Sequence, residues 1–285
     1  MRIILVLSIC LLSVTSSAQS AGMFWNKYAY FNPALTGLKY HHQAYLDYRS
    51  EAIKASRMPK DLFANYALNF EKIKLSLGAT YDHSELGFIQ GDKAILNLSY
   101  EFKLGEKVKL SLGANGGVHI RNFDAITAGM DETDAWKSTD FVLDAGIAIH
   151  SEKFMIGIGS ININNMNVTV TTDSLLGSSG PFALPNSYNN FVEYDWTLTK
   201  KLSLMPRLMV TTDFVTTVLD INAQLQYNKK YMISFGFRTT GSLVFGANWD
   251  AKKKFRVGYQ YEHNLDDATS ILGPSHEAVM GFLLE

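Results

Sequence analysis

Hydrophobic and polar positions alternate with a period of two along most of the chain after residue 38. Between Lys109 and Arg121, every second position except Gly116 is apolar, and the others are polar or glycine. The same alternation recurs in Leu219–Asn228 and in Phe255–Glu262. It is typical of a β-strand with one apolar and one polar face, and no window of similar length shows a helical period. The pattern therefore predicts an all-β protein.

These alternating segments predict about fourteen strands. They lie near residues 38–48, 61–70, 73–82, 92–103, 107–120, 140–150, 153–161, 188–198, 202–211, 218–227, 230–239, 242–250, 254–262 and 276–284. Short and long links alternate between them. Short links lie near 71–72, 104–106, 151–152, 199–201, 228–229 and 251–253, whereas 49–60, 83–91, 121–139, 162–187 and 263–275 are long. Only 212–217 and 240–241 are short in the second set.

This alternation of short and long links favours one architecture. Bacterial outer-membrane barrels have an even number of antiparallel strands, short periplasmic turns and longer extracellular loops. A soluble sandwich has no reason to place its long links on one side. We therefore predict a transmembrane antiparallel β-barrel over residues 38–285, with its apolar stripe facing lipid.

Aromatic residues lie near the short links, on the apolar parity of their strands. We predict that they form a girdle at the periplasmic boundary of the membrane, because aromatic rings favour the region between headgroups and hydrocarbon. The predicted girdle consists of Phe70, Phe102, Phe154, Trp196, Tyr227, Tyr231, Trp249 and Phe255.

The first eighteen residues predict export. A positive start at Arg2, an apolar stretch over Ile3–Leu12 and a small-residue exit ending at Ala18 have the layout of a secretory signal peptide. The only cysteine, Cys10, lies in that segment, so the predicted mature chain has none. Residues 19–37 then form an N-terminal segment that precedes the predicted barrel.

Composition excludes several classes of protein. The 285 residues are 47% hydrophobic and 19% charged, which is unlike a disordered chain. The net charge of −1 gives no general attraction to nucleic acid. The mean hydropathy of −0.02 resembles that of a soluble protein. That average nevertheless divides into one apolar and one polar stripe on nearly every strand.

The inward parity predicts a polar lumen. It is rich in glycine, including Gly113 and Gly159, and carries charges such as Asp144, Arg238 and Glu262. Glycine there also has a plainer explanation, because it permits strand curvature. The pattern does not distinguish an open pore from one filled by a plug or an inward-folded loop.

Candidate chemistry is sparse. The chain has no phosphate loop, zinc-protease or serine-hydrolase motif. His41 and His42 are adjacent on a predicted strand and would point to opposite faces, so they cannot chelate one metal. The acidic residues Asp124, Asp131, Glu132 and Asp134 of one loop could bind a divalent cation, but they suit a solvated loop better. These patterns support no enzyme activity, no cofactor and no metal site, and they leave a catalytic role open as an alternative.

Several segments resemble the PorP/SprF family of outer-membrane proteins, which belong to the type IX secretion system of Bacteroidetes. The resemblance begins with Lys27–Gly37, continues through Leu98–Lys107 and Val257–Glu262, and closes with Gly273–Phe282. Two departures are Ser50–Ile53, where the family usually has a tryptophan, and the lack of a terminal aromatic residue. The candidate motif and partner-contact residues are Tyr30, Asn32, Pro33, Gly37, Tyr48 and Arg49.

The resemblance implies a non-enzymatic outer-membrane barrel acting in secretion, gliding or surface attachment. Its expected partners are a secreted adhesin-like protein with a C-terminal targeting domain, other type IX components such as periplasmic or lipoprotein subunits, and outer-membrane lipid. The loops 121–139 and 162–187 are the expected contact with the secreted protein. The resemblance also implies that the N-terminal segment 19–37 lies at the periplasmic mouth or inside the barrel as a plug. Asn32-Pro33 is explained at least as well by a simple turn before the first strand as by contact with a partner. The alternative function is a channel or transporter for a small or hydrophobic solute, and a hydrolase is a weaker third hypothesis.

Overall fold

The computed structural model describes residues 22–54, 57–124, 135–164, 166–169, 181–184, 186–252, 254–266, 271 and 273–284. The predicted signal peptide, residues 1–18, lies outside the described residues. So do the acidic loop residues Asp131, Glu132 and Asp134, together with parts of the predicted loops 121–139 and 162–187.

Seventeen strands are present in the described residues. They are β1 (His42–Ser50), β2 (Lys60–Phe70), β3 (Leu75–Leu86), β4 (Ile89–Lys103), β5 (Lys109–Phe123), β6 (Trp136–His150), β7 (Phe154–Ile161), β8 (Met166–Thr169), β9 (Pro181–Leu184), β10 (Ser187–Tyr194), β11 (Trp196–Thr197), β12 (Leu202–Thr212), β13 (Thr217–Tyr227), β14 (Tyr231–Arg238), β15 (Ser242–Ala251), β16 (Phe255–Asn264) and β17 (Ser275–Leu284). β8 and β9 pair only with each other, as a separate hairpin.

The remaining strands form a closed antiparallel barrel. β10 and β11 are one strand interrupted at Asp195, and both pair with β12. The barrel of the described chain therefore has fourteen strands, as predicted. β1 closes it by pairing with β17 from His42↔Leu284 to Ser50↔His276. Closure satisfies the backbone of every strand, which a structure surrounded by lipid requires.

The side chains of each strand alternate between the two faces of the barrel. On β14, Tyr231, Ile233, Phe235 and Phe237 are exposed, whereas the three residues between them and the following Arg238 are buried. The exposed face is apolar and the buried face is largely polar across the barrel. This inversion is expected when the outer face meets hydrocarbon.

Links at the two ends differ in length. At the short-turn end they are 71–74, 104–108, 151–153, 198–201, 228–230 and 252–254. At the long-loop end they are 51–59, 87–88, 124–135, 162–186, 213–216, 239–241 and 265–274.

The prediction of a long link at 83–91 is wrong. β3 continues to Leu86 and β4 begins at Ile89, so only Gly87 and Phe88 connect them. The hairpin is partly exposed on both faces at this end, so polar residues occupy both parities and the alternation disappears. The first strand is also shorter than predicted, because it starts at His42 and residues 38–41 precede it.

Three short helical turns lie before β1, at Phe24–Asn26, Tyr28–Phe31 and Pro33–Leu35. They belong to residues 22–40, which we call the plug because their side chains pack against inward-facing residues of the barrel. Met23, Phe24 and Leu35 form one hydrophobic core with lumen residues that include Phe191 and Met209. Among the described residues, no helix is long and apolar enough to cross a membrane.

Candidate functional site

A buried ammonium group attaches the plug to the barrel. Lys27 Nζ lies 2.8 Å from Asp47 Oδ1 and 3.2 Å from Glu277 Oε1. The backbone N–H of Met23 donates to both carboxylate oxygens of Glu277, each at 3.0 Å. Burial opposes the charged form of Lys27, but Glu277 and Asp47 outweigh it and raise the pKa of Lys27 well above its usual value. The plug therefore carries a permanent charge that its carboxylates hold in place.

Glu277 also belongs to a chain of ion pairs across the closing seam of the barrel. Arg49 on β1 contacts Glu277 on β17 at 3.4 Å and Glu262 on β16 at 2.6 Å. Glu262 also accepts from Arg238 on β14 at 2.6 Å, and Arg238 in turn pairs with Asp220 on β13. Buried charges in proteins need such partners, because an unpaired one is costly. This chain of ion pairs therefore links the plug to the first and last strands of the barrel.

Two tyrosines fix the plug at other points of the barrel. Tyr28 donates its hydroxyl to Glu193 Oε2 at 2.6 Å, and Tyr30 donates to Asp82 Oδ2 at 3.1 Å. Burial, reinforced by the adjacent carboxylate, raises the pKa of each phenol well above its usual value. Both hydroxyls therefore remain donors. Lys93 Nζ also lies 4.7 Å from the centre of the Tyr30 ring.

The Asn32-Pro33 pair forms a capped turn within the lumen. Asn32 Oδ1 accepts from the backbone N–H of Ala34 at 2.9 Å, and Asn32 Nδ2 donates to the carbonyl of Ile147 at 3.1 Å. Pro33 occupies the first position of the turn, where a missing N–H is tolerated. Asn32-Pro33 is thus a turn, as the simpler interpretation predicts, and this turn also contacts β6.

Glycines on three adjacent strands make room for this part of the plug. A Cβ atom at Gly113 on β5 would overlap the backbone of Ala34. One at Gly146 on β6 would overlap the Asn32 amide, and one at Gly159 on β7 would overlap the Phe31 carbonyl. We call these three glycines the plug seat. Hydrogen bonds beside the seat include Ser99 Oγ to the Ala34 carbonyl at 2.9 Å.

Most of the predicted motif residues meet in the lumen. Tyr30, Asn32 and Pro33 belong to the plug, and Arg49 to its ion-pair chain. Gly37 also belongs to the plug, where it has a φ of +66° and lies next to Ser76. Tyr48 points the other way and is 48% exposed on the outer surface. Because Asn32 and Pro33 are buried, a partner could touch them only if the plug left its seat.

The predicted girdle residues all lie at or beside the short-turn end, on the outer face. In their pairing, Tyr231 is opposite both Tyr227 and Trp249. The eight rings are Phe70, Phe102, Phe154, Trp196, Tyr227, Tyr231, Trp249 and Phe255. Phe154 is partly exposed and the other seven are exposed. Their side chains are available to the membrane boundary, where such rings are favoured.

Sequence reasoning missed the residues that hold the plug. Lys27, Asp47 and Glu277 were not singled out, because an ion pair between residues so far apart leaves no local pattern. The one available signal was glycine on the inward parity of successive strands, at Gly113 and Gly159. That signal had been explained equally well by strand curvature.

Comparison with known proteins gives one family and a set of barrels. The sequence model of the family described as type IX secretion system membrane protein PorP/SprF matches residues 15–282. No curated protein is significantly similar to the chain.

Solved structures share the fold at low identity. The Pseudomonas putida toluene transporter TodX has a TM-score of 0.54 at 10% identity, over 94% of this chain and 95% of that one. A Pseudomonas aeruginosa FadL homologue has 0.53 at 8%, over 91% and 94%. The Acinetobacter baumannii outer membrane protein Omp33 has 0.51 at 7%, over 87% and 100%.

Proposed function

Since the chain belongs to the PorP/SprF family of type IX secretion system membrane proteins, we propose that it is a surface anchor or secretion partner for a secreted protein. The chain is an outer-membrane β-barrel of that system. The proposed partner is an adhesin-like protein that is recognised through its C-terminal targeting domain. The proposed role is non-enzymatic, and its place in gliding or secretion depends on that partner.

The seated plug is the observation that carries this proposal. Lys27, Tyr28 and Tyr30 bond to three separate regions of the barrel. The plug seat holds the capped turn that follows them in the sequence. A lumen filled in this way suits a rigid platform better than a conduit. Binding residues usually lie on loops that a rigid scaffold positions. We place the secreted partner at the long-loop end, with residues 121–139 and 162–187 as its main contact.

A channel or transporter is the second candidate function. Its support is the fold, since one similar barrel is described as a toluene transporter. A likeness at 10% identity reaches only the architecture. In this chain the plug would have to move before a solute could pass.

Retention of the secreted partner tests the proposal. A tagged barrel, purified from the native membrane, should retain the secreted protein in a stoichiometric complex. Replacing residues 162–187 by a short glycine-serine linker should abolish that retention, because the loop supplies the contact. A matched variant that replaces residues 265–271 should keep it. Heat-modifiable migration shows that each barrel is folded.

One result would contradict the anchor proposal, and another would contradict only its loop assignment. The first is recovery of the barrel alone together with steady conductance in planar bilayers, which favours the channel. The second concerns the loop only: unchanged retention after the 162–187 replacement would show that this loop is not the contact.

A further inference from the structure

A cavity of about 950 Å³ opens at the short-turn end, below the plug. We call it the vestibule; its apolar lining includes Trp25, Tyr28, Tyr40, Tyr45, Met155 and Met232. The short turns of outer-membrane barrels face the periplasm, so this cavity is open to periplasmic proteins. We propose that the vestibule binds an acidic, extended segment of a periplasmic protein.

Charge is the first argument for an acidic occupant. Seven lysine and arginine side chains line the vestibule against four carboxylates. Two of the seven, Lys109 and Arg256, are paired with Glu101 and Asp250 just outside the lining, which leaves an excess of one positive charge. Lys107, Lys153 and Lys229 lie on three different turns around the mouth, and none forms an ion pair with a described residue. These lysines are free to pair with incoming carboxylates. Complementary charge of this kind accelerates association and excludes partners of the wrong sign.

The basic surface extends beyond the vestibule. A second cavity of about 490 Å³ lies next to it and shares Leu38 and Lys109 with its lining. Four lysines line this second cavity against two glutamates, so it too has an excess of positive charge. An extended segment that leaves the vestibule in this direction remains over a basic surface.

The upper wall of the vestibule is fixed in advance. Arg207 lies with its guanidinium carbon 4.8 Å from the centre of the Trp25 ring, and its Nε is 2.5 Å from Glu193 Oε2. Glu193 also accepts from Tyr28 at 2.6 Å and from Lys39 at 2.6 Å. A binding surface that is already ordered loses less entropy when its partner arrives.

The lining favours a polypeptide over a small anion. Aromatic residues and methionine are enriched where proteins bind other proteins, because they offer large contact areas and methionine adapts its shape. A small anionic solute would use the lysines but not the apolar wall formed by Trp25, Met155 and Met232. The plug also closes the far side of the vestibule, so a solute that entered would have no onward path.

Site-specific photo-crosslinking in the native cells tests this inference on the full chain. A benzophenone amino acid replaces Gln226, which lines the vestibule, and in a matched strain replaces Lys200, which lies on a turn of the same end outside that lining. Irradiation should link position 226, but not position 200, to a protein segment with a net negative charge. Mass spectrometry of the crosslinked peptide identifies that segment.

Charge reversal supplies the second measurement. The Lys153→Glu/Lys229→Glu variant should lower the yield of the adduct at position 226 by at least tenfold. The Lys200→Glu/Lys201→Glu variant has the same change of charge outside the lining and should leave the yield within twofold. A folded, heat-modifiable barrel is required of both variants.

Several results would overturn the inference. They are no adduct at position 226, an adduct with lipid alone, an adduct with a neutral or basic segment, or equal losses in the two charge-reversal variants. Retention of the secreted partner is measured in the same strains. Because that retention depends on the long-loop end, a missing adduct with intact retention contradicts the vestibule proposal alone.

Discussion

Lys27 and Asp47 form an ion pair inside the barrel, with 2.8 Å between Nζ and Oδ1, and both side chains are almost completely buried. One belongs to the plug and the other to β1. Asp47 on β1 shares this single ammonium group with Glu277, which lies on β17, the strand that pairs with β1. The position of the plug and the charge balance of the closing seam are therefore coupled.

Lys27→Met should release the plug from its seat. The change leaves Asp47 and Glu277 without their cation, and breaking a buried ion pair in this way costs about 3–5 kcal/mol. The measurement is maleimide labelling of a cysteine introduced at Leu35, which is 3% exposed. The labelling rate should rise strongly in the variant.

Lys39→Met is the matched control for that experiment. Lys39 also pairs with a carboxylate, Glu193 at 2.6 Å, but its side chain is 44% exposed. Glu193 is itself buried, but it keeps the Arg207 guanidinium at 2.5 Å when Lys39 is replaced, so labelling at position 35 should change little. Equal labelling in the two variants would show that Lys27 does not hold the plug.

Asn32→Ala should loosen the plug to a smaller extent. The variant loses the cap on Ala34 N and the bond to the Ile147 carbonyl, which together contribute about 1–2 kcal/mol. Asn32→Asp retains an oxygen for the cap but has no donor for the Ile147 carbonyl. It should therefore loosen the plug at least as much as the loss of the Ile147 bond alone. Hydrogen exchange at Ala34 N reports the cap directly. Unchanged exchange in the alanine variant contradicts its role.

Trp249 and Trp196 should lie at the lipid boundary, and Trp25 should not. Trp196 and Trp249 are 58% and 46% exposed on the outer face, whereas Trp25 is 8% exposed among lumen residues. In single-tryptophan variants, lipids brominated near the headgroup should quench the fluorescence of the first two residues strongly. Trp25 serves as the internal reference. Strong quenching of Trp25, or none of Trp249, would be inconsistent with this barrel orientation.

The barrel could be predicted from the sequence because each strand carries its own evidence. A residue such as Phe235 faces lipid and its neighbour Gly236 faces the lumen, so the environment alternates with every position. The prediction failed where the environment stops alternating. At 83–91 the β3–β4 hairpin is partly exposed on both faces, and the polar sequence was interpreted as a loop.

The interior could not be predicted in the same way. The hydrogen bond from Met23 to Glu277 joins residues 254 positions apart, and the one from Tyr28 to Glu193 joins residues 165 apart. No local pattern in the plug indicates which carboxylate each group meets. The family resemblance indicates Tyr30, Asn32 and Arg49. The groups to which these residues bond depend on how distant strands are arranged in space.

Gly113→Val should convert the plugged barrel into a conducting one. A side chain at Gly113 would overlap the backbone of Ala34, which cannot yield as a flexible side chain can, so the plug must move. Gly116→Val is the matched control on the same strand, because no atom lies within 4 Å of a Cβ there. In planar bilayers the native barrel and Gly116→Val should show no steady conductance, whereas Gly113→Val should. Steady conductance of the native barrel would mean that the seated plug leaves an ion path, and a silent Gly113→Val barrel that still migrates as folded would mean that the three glycines do not form its seat.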